Sequence, residues 1–451
     1  MLTPEQALYA QRGAGSGVTA DGSVAGATGA LAAPGDAAAN NPAQASGDSS
    51  TRAPGGDVGA RGSGVGAPAA NCQGLQNGTG ITGDTVTIAN ASDISGPVPG
   101  LFQSAQQATK AFAAYFNSTQ NICGRKLQVL ALDSRTDTGG DQQAATQACQ
   151  QAFAMVGSMS AFDQGGAKTV SDCGIPDLRS STVTTERQKS PVVFGTDSVR
   201  INLIPASVPD YFRATYPDAA SKAAFLWING ASAQINAQSE IAGWQKRGFN
   251  FVYQQAVDVT EFNYSPYVVQ MKQKGVRYVQ FVGAYQNAVQ LAHAMQQQGF
   301  KPDAFVLDPA GYDANYVKSG GVAVDGTKVW INSALFEEAG SNPEMQLYLK
   351  WLQQVAPGAT PSYFGLFGWA AARLFTEQAL ALGGKLNRQS MITALANVHG
   401  WDGHGLFAPQ DVGGRRTANC DAIVKLQGDK WVRESNGKFL CGDLVDTAVG
   451  G

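Results

Sequence analysis

The feature that most constrains this chain is a steady alternation of short apolar runs and helical periods that begins after Gly80. "TVTIANA" (Thr85–Ala91) reads as a strand, rich in β-branched residues. Ala105, Ala108, Phe112 and Phe116 follow at spacings of three and four, which puts them on one helix face. "LQVLAL" (Leu127–Leu132) is the next strand, and "DQQAATQACQQAF" (Asp141–Phe153) the next helix, with Asp141 as its expected N-cap. Short apolar runs recur at Ala154, at Ile175–Leu178 and at Val192. Strands separated by helices cannot pair as hairpins. They pair in parallel, with the helices covering both faces of the sheet.

The pattern then restarts. "AAFLWI" (Ala223–Ile228), "FVYQQAV" (Phe251–Val257), "RYVQFVG" (Arg277–Gly283), "AFVLD" (Ala304–Asp308) and "KVWI" (Lys328–Ile331) read as strands. Helical faces lie between them, at Ile235, Ile241 and Trp244, at Val268 and Met271, and at Ala288, Leu291, Ala292 and Met295, the last closed by Gly299. A long helical region over Ser362–Leu382 and a hairpin turning at Gly428-Asp429 complete the chain. The fold class is therefore α/β, with two doubly wound parallel-sheet lobes. The expected first lobe is 71–200 plus about 332–405. The second is 201–331 plus about 406–445, including the C-terminal hairpin.

In such sheets ligands sit outside the carboxyl ends of the strands. Three of those ends carry small hydroxyl-rich turns: "ASDISGPVPG" (Ala91–Gly100), "GSMSAFDQGG" (Gly157–Gly166) and "RSSTVT" (Arg179–Thr184). Each Ser or Thr alone reads as an ordinary helix cap. Together, with backbone N–H groups at helix starts, they make a place for a ligand carboxylate.

Bulk properties exclude other classes. Among 451 residues, 32 basic and 35 acidic side chains leave a net charge of −3, which gives no basic footprint for nucleic acid. Residues 12–70 are nearly all Gly, Ala, Ser, Pro, Asp and Thr, the composition of a disordered tether, so 1–70 is set apart from the lobes. Its "GSGVG" (Gly62–Gly66) lacks the strand and helix a phosphate loop needs. The first residues show no secretory signal pattern, although Thr3–Gln11 has the makings of a short helix. Six cysteines without a C-x-x-C pair point to disulfides and an extracytoplasmic compartment. Strand starts and helix ends share one side of the sheet, which favours Cys72–Cys173, Cys123–Cys149 and Cys420–Cys441, with free buried thiols as the alternative. The histidines, His293, His399 and His404, form no metalloprotease motif. His399, Asp402 and His404 are better read as a solvated turn than a metal site. No catalytic motif, metal or cofactor is expected.

"SGPVPG", "GRKLQVLALDS", "FAMVGS", "GIPDL", "VRYVQFVGAY" and "AMQQQGFKPDAFVLDPAGY", in that order, resemble the leucine/isoleucine/valine-binding family of type I periplasmic binding proteins, over Ile81 to Gly442. The resemblance implies two lobes joined by a three-crossover hinge that closes over a small ligand. It implies a monomer that delivers this ligand to the permease subunits of an ABC importer. Carried across residue by residue, it implies a carboxylate and ammonium grip at Ser160, Ala161 and Phe162 and at Ser181, Thr182 and Val183. Tyr285, Phe364, and Leu101 or Phe102 would supply aromatic or apolar walls. Ala310 stands where amino-acid binders place an acid, with Asp308 or Tyr312 as substitutes. A branched-chain amino acid or a related small polar or carboxylate compound is the expected ligand. A sensory module of the same fold and an α/β enzyme are the competing readings.

Overall fold

The computed structural model describes residues 71–435, 437 and 439–450. The expected tether, its possible short helix and "GSGVG" lie outside the described residues.

The first lobe is built in the order β1 (Thr85–Ser92), α1 (Gln103–Thr119), β2 (Lys126–Asp133), α2 (Thr138–Gln151), β3 (Ala154–Val156), α3 (Ala167–Cys173), β4 (Asp177–Ser181), α4 (Thr185–Lys189) and β5 (Val193–Asp197). The strands form one parallel sheet ordered β2-β1-β3-β4-β5. Alternation along a strand sends successive side chains to opposite faces. Val86 and Ile88 thus meet Phe112 and Phe116 of α1, while Ala89 and Ala91 meet Ala144, Ala145 and Ala148 of α2. Helix α2 begins three residues before the expected Asp141. Asp137 is its N-cap and accepts from the Gly140 N–H at 2.6 Å. Asp141 is instead buried and accepts from the Gly166 N–H at 2.7 Å.

The chain then runs through β6 (Leu203–Pro205), α5 (Ser207–Thr215), α6 (Pro217–Ala220), β7 (Ala223–Ile228), α7 (Ala231–Lys246), β8 (Phe251–Val257), α8 (Ser265–Gln273), β9 (Tyr278–Val282), α9 (Tyr285–Gln297), β10 (Ala304–Leu307), α10 (Ala314–Gly320) and β11 (Lys328–Ile331). The second sheet is ordered β13-β12-β11-β10-β9-β7-β8. Strands β7 to β11 are parallel, and the late hairpin β12 (Cys420–Gln427) and β13 (Lys430–Arg433) adds an antiparallel edge beside β11. One face packs Phe225, Tyr278 and Trp330 on Phe212 and Trp244, and the other packs Leu226, Val279 and Phe281 on Val268, Leu291 and Met295.

Between β11 and β12 the chain returns to the first lobe as α11 (Pro343–Val355), α12 (Tyr363–Leu382) and α13 (Arg388–Ala396). Helix α12 is apolar around most of its circumference because α1 and the first sheet cover it: Trp369 meets Phe112 and Phe375 meets Phe153. Ser362 caps it by accepting from the Gly365 N–H at 3.1 Å. No helix among the described residues is long and apolar enough to cross a membrane. A short pair, β14 (Leu440–Cys441) on β12 and β15 (Leu444–Asp446) on β6, ends the chain.

Three crossings join the lobes, following β5, following β11 and preceding β12. They are stitched to one another. The Ala418 N–H donates to Ser198 O at 3.0 Å, Ala408 N–H to Asn332 O at 2.7 Å, and Ser198 N–H to Gln410 Oε1 at 2.9 Å.

All six cysteines are bridged, as Cys72–Cys123, Cys149–Cys173 and Cys420–Cys441. Two expected pairings, Cys72–Cys173 and Cys123–Cys149, are therefore corrected. Helices α2 and α3 lie side by side on one sheet face, so their ends meet directly. The segment before β1 runs past the turn into β2, where Arg125 donates to Thr82 O at 2.5 Å and to Asn77 Oδ1 at 3.2 Å, and this brings Cys72 to Cys123. Topology put these cysteines on one side of the sheet without saying which were neighbours.

Candidate ligand-binding cleft

The carboxyl ends of both sheets face a single cavity of about 290 Å³. The first lobe contributes the ends of β4 and β5 and the turns after β1 and β3. The second contributes the ends of β7, β9, β10 and β11. Most of the wall is apolar: Val98, Leu101, Phe102, Met159 and Phe364 on one side, Ile228, Val259, Tyr285 and Trp330 on the other. Phe102 and Phe364 meet edge to face at 5.2 Å, a packing that fixes both rings.

Of the residues singled out from sequence, Leu101, Phe102, Ala161, Phe162, Ser181, Val183, Tyr285, Asp308, Ala310 and Phe364 line this cavity. Ser160 and Thr182 do not. Ser160 is fully buried behind the turn and hydrogen-bonds Asp93, and Thr182 lines a small separate hollow beside Arg415. Tyr312 is also turned away. Its hydroxyl donates to Glu337 at 3.0 Å and its ring stacks on Phe336, inside the second lobe.

The expected carboxylate grip is already occupied by the protein's own acids. The Ala161 N–H donates to Asp93 Oδ2 at 2.8 Å, and the Phe162 N–H donates to Ser160 Oγ at 3.3 Å. The Val183 N–H donates to Asp163 Oδ2 at 3.1 Å, and Thr184 Oγ1 donates to Asp163 Oδ1 at 2.5 Å. Ser181 is engaged with Asp197. Two buried side-chain carboxylates thus stand where a ligand carboxylate was expected. The turn "GSMSAFDQGG" is bare because it folds around Asp93 and Asp163. Gly157 opens it at φ +69°, and a Cβ there would collide with Thr109 Oγ1.

Asp163 belongs to a buried charge cluster beneath this wall. Arg187 donates to Asp177 Oδ2 at 2.9 and 2.6 Å, lies 3.3 Å from Asp141 Oδ2, and donates to Asp163 O at 3.0 Å. Arg179 lies 3.7 Å from Asp163 and 3.5 Å from Asp177. Burial pushes the Asp163 carboxyl up to about 6 although both arginines pull it down. Sequence reading missed this cluster, because charges spread over Asp141 to Arg187 look like separate surface residues until the fold stacks them.

The cavity lining itself is acidic. Asp197, Glu240, Asp308, Asp313 and Asp421 reach it, against a single cation among the lining residues, the exposed Arg200. Asp197 Oδ1 accepts from Asn332 Nδ2 at 3.1 Å and from the Tyr363 hydroxyl at 3.3 Å, and burial brings it up to about 6. Asp421 is 5% exposed, and its Oδ2 has no hydrogen-bond partner. Burial, reinforced by the neighbouring Asp197, pushes Asp421 up to about 8. On the second lobe, burial raises Asp308 to about 7. Glu240 accepts from Gln280 Nε2 at 2.7 Å and is pushed well above the usual carboxylate range by burial and then by Asp308. Asp313 caps α10 through the Asn315 N–H. Asp308 was visible from sequence at a strand end. Glu240 and Asp421 sit within an apolar helix face and an apolar strand, where a lone acid was the available signal.

The sequence profile described as "Periplasmic binding protein" matches residues 85–430, most of the chain. The chain belongs to this family. No curated protein matches it in sequence. Among solved structures it is similar to a fatty acid ABC transporter substrate-binding protein from Thermomonospora curvata, with TM-score 0.70 and 15% identity over 82% of this chain and 95% of that one. It is similar to a branched-chain amino acid transporter substrate binding protein from Streptococcus pneumoniae, in complex with isoleucine, with TM-score 0.65 and 16% identity over 78% of this chain and 100% of that one. A third is a solute binding protein from R. palustris in complex with benzoate, with TM-score 0.65 and 15% identity over 81% and 99%. The two-lobed architecture is thus the type I periplasmic binding fold. As a periplasmic binding protein the chain is a solute-binding protein and not an enzyme. Its three disulfides agree with an extracytoplasmic location.

Proposed function

We propose that this periplasmic binding protein captures one small molecule in the interlobe cleft, closes by rotation about the three crossings, and hands its cargo to an ABC importer as a monomer. The reading is carried by one observation: a cavity of about 290 Å³ enclosed by the carboxyl ends of both sheets. Sites of this shape, apolar with a few convergent polar groups, are typical of small-ligand pockets. Leu101, Phe102, Phe162, Tyr285 and Phe364, with Ala161, Val183 and Ala310, hold the apolar body of the ligand, and Ser181 and Asp308, with Asp197 and Asp421, face its polar end. A branched-chain amino acid would need a carboxylate grip, and the engagement of Ala161 and Val183 by Asp93 and Asp163 weighs against that choice. Residues 1–70 act as a tether on the periplasmic or cell-surface side.

A thermal-shift screen of amino acids, amides, small carboxylates and amines tests the reading. A true ligand at 100 times its Kd stabilises the protein by about 2.7 kcal/mol. A screen in which no small solute of any class gives a saturable shift would count against capture of solutes.

A further inference from the structure

We propose that the cleft is built for an organic amine, an ammonium group on an apolar body without a carboxylate, whose nitrogen seats on Asp421 beside Asp197 at the hinge. This rests on the solute-binding reading and narrows its ligand class.

The first argument is an unfinished hydrogen-bond set. Asp421 lines the cavity, is 5% exposed, and has an oxygen with no partner. A buried carboxylate without a donor is costly, and native structures rarely leave one. Its neighbour Asp197 already accepts from Asn332 and Tyr363, so the protein supplies nothing further on that side. An ammonium group carries three donors and a positive charge, which is the complement of this corner.

The second argument is the chemistry of the walls. Glu240 and Asp308 add carboxyls on the second lobe, and the lining offers only Arg200 in return. A carboxylate ligand would enter an acidic, low-dielectric cleft and find the Ala161 and Val183 donors spent on Asp93 and Asp163. Amino acids are disfavoured for the same reason, at one end of the molecule. The aromatic walls, Phe102, Phe364, Tyr285 and Trp330, suit an apolar body and can face a cation.

Burial raises Asp421 to about 8 and Asp308 to about 7, so at neutral pH the empty cleft holds Asp421 largely protonated and Asp308 about half protonated. The groups facing Asp421 are Asp197 and Tyr363, and Glu240 faces Asp308. Seating an ammonium ionises the acid and releases its proton to the buffer. The chemistry then predicts affinity that rises with pH below the raised values, by up to about tenfold per unit for one proton released. A carboxylate ligand would show the opposite slope.

Isothermal titration of the intact chain tests this, with n-hexylamine, 2-phenylethylamine and 1,5-diaminopentane set against hexanoate, 3-phenylpropionate and leucine. Titrations at pH 6, 7 and 8 in two buffers of different ionisation enthalpy read affinity and proton release together. The expected result is binding of at least one amine, tighter at higher pH, with proton release. In Asp421→Asn that binding weakens about 10- to 100-fold and the proton release is reduced. The wild-type pH series stands alone if Asp421→Asn fails to fold. Binding of a carboxylate or leucine in preference to all three amines would overturn the amine assignment and leave solute capture intact. Amine affinity indifferent both to pH and to Asp421→Asn would overturn it too. Failure of every solute, in this panel and in the wider screen, would overturn both readings.

Discussion

Asp421→Asn should make the ligand-free protein more stable at neutral pH. The native carboxyl is raised to about 8, whereas an unfolded Asp titrates near about 3.9. The folded state therefore holds the proton more tightly than the unfolded chain. Between those two values unfolding releases a proton, and stability falls as pH rises, by about 1.4 kcal/mol per unit. At pH 7 the accumulated cost is about 4 kcal/mol. Below about pH 4 both states are protonated and the cost is zero. Asn removes the titration and keeps the shape, but it leaves an amide with unpartnered donors, which costs about 1–3 kcal/mol. The variant should be equal to or weaker than wild type at pH 4 and more stable by about 1–3 kcal/mol at pH 7. Urea titrations followed by tryptophan fluorescence at pH 4, 5.5, 7 and 8 measure the difference. A difference that does not change with pH, or that grows against the variant as pH rises, would refute an unpartnered buried Asp421.

Asp163→Asn should destabilise by about 3–5 kcal/mol in urea, because it removes the carboxylate 3.7 Å from buried Arg179 and takes its charge from the field of buried Arg187, whose hydrogen bond to the Asp163 carbonyl remains; a loss below about 1 kcal/mol would mean the cluster is solvated. Gly157→Ala should cost about 1–3 kcal/mol by the same measurement, since a side chain at φ +69° meets Thr109 and the backbone of Gly368. Non-reducing peptide mapping should recover Cys72–Cys123, Cys149–Cys173 and Cys420–Cys441, and Cys149→Ser with Cys173→Ser should cost about 3 kcal/mol. A peptide joining Cys123 to Cys149 would contradict the packing of α2 on α3.

The elements of the fold were legible because each is specified locally. The β-branched run at Thr85, the apolar run at Ala223 and the three-and-four spacing at Ala105 to Phe116 state strand and helix without help from the rest of the chain. The cleft walls were legible in part, since Phe102, Tyr285 and Phe364 follow from a family resemblance. What sequence did not reveal depends on contacts between distant residues. Ser160 carries a hydroxyl suited to a ligand, but Asp93, 67 positions earlier, uses it. The turn after β3 reads as an anion site until Asp93 and Asp163 are seen to fill it. Asp421 reads as an ordinary strand residue until the crossing from β5 brings Asp197 beside it. Two of the three disulfide pairings failed for a related reason, while Cys420–Cys441 held: the side of the sheet follows from topology, while the neighbour follows from packing.

The central claim, that solute is held between the lobes, is tested most directly by filling the cavity from each wall. Ala161→Trp on the first lobe and Ala310→Phe on the second each place a ring in the cleft without removing a hydrogen bond made by a side chain. A solute that gives saturable heat with the wild-type protein should give none with either variant, while both variants keep the wild-type circular dichroism spectrum. Undiminished binding in both folded variants would place the solute somewhere other than this cleft.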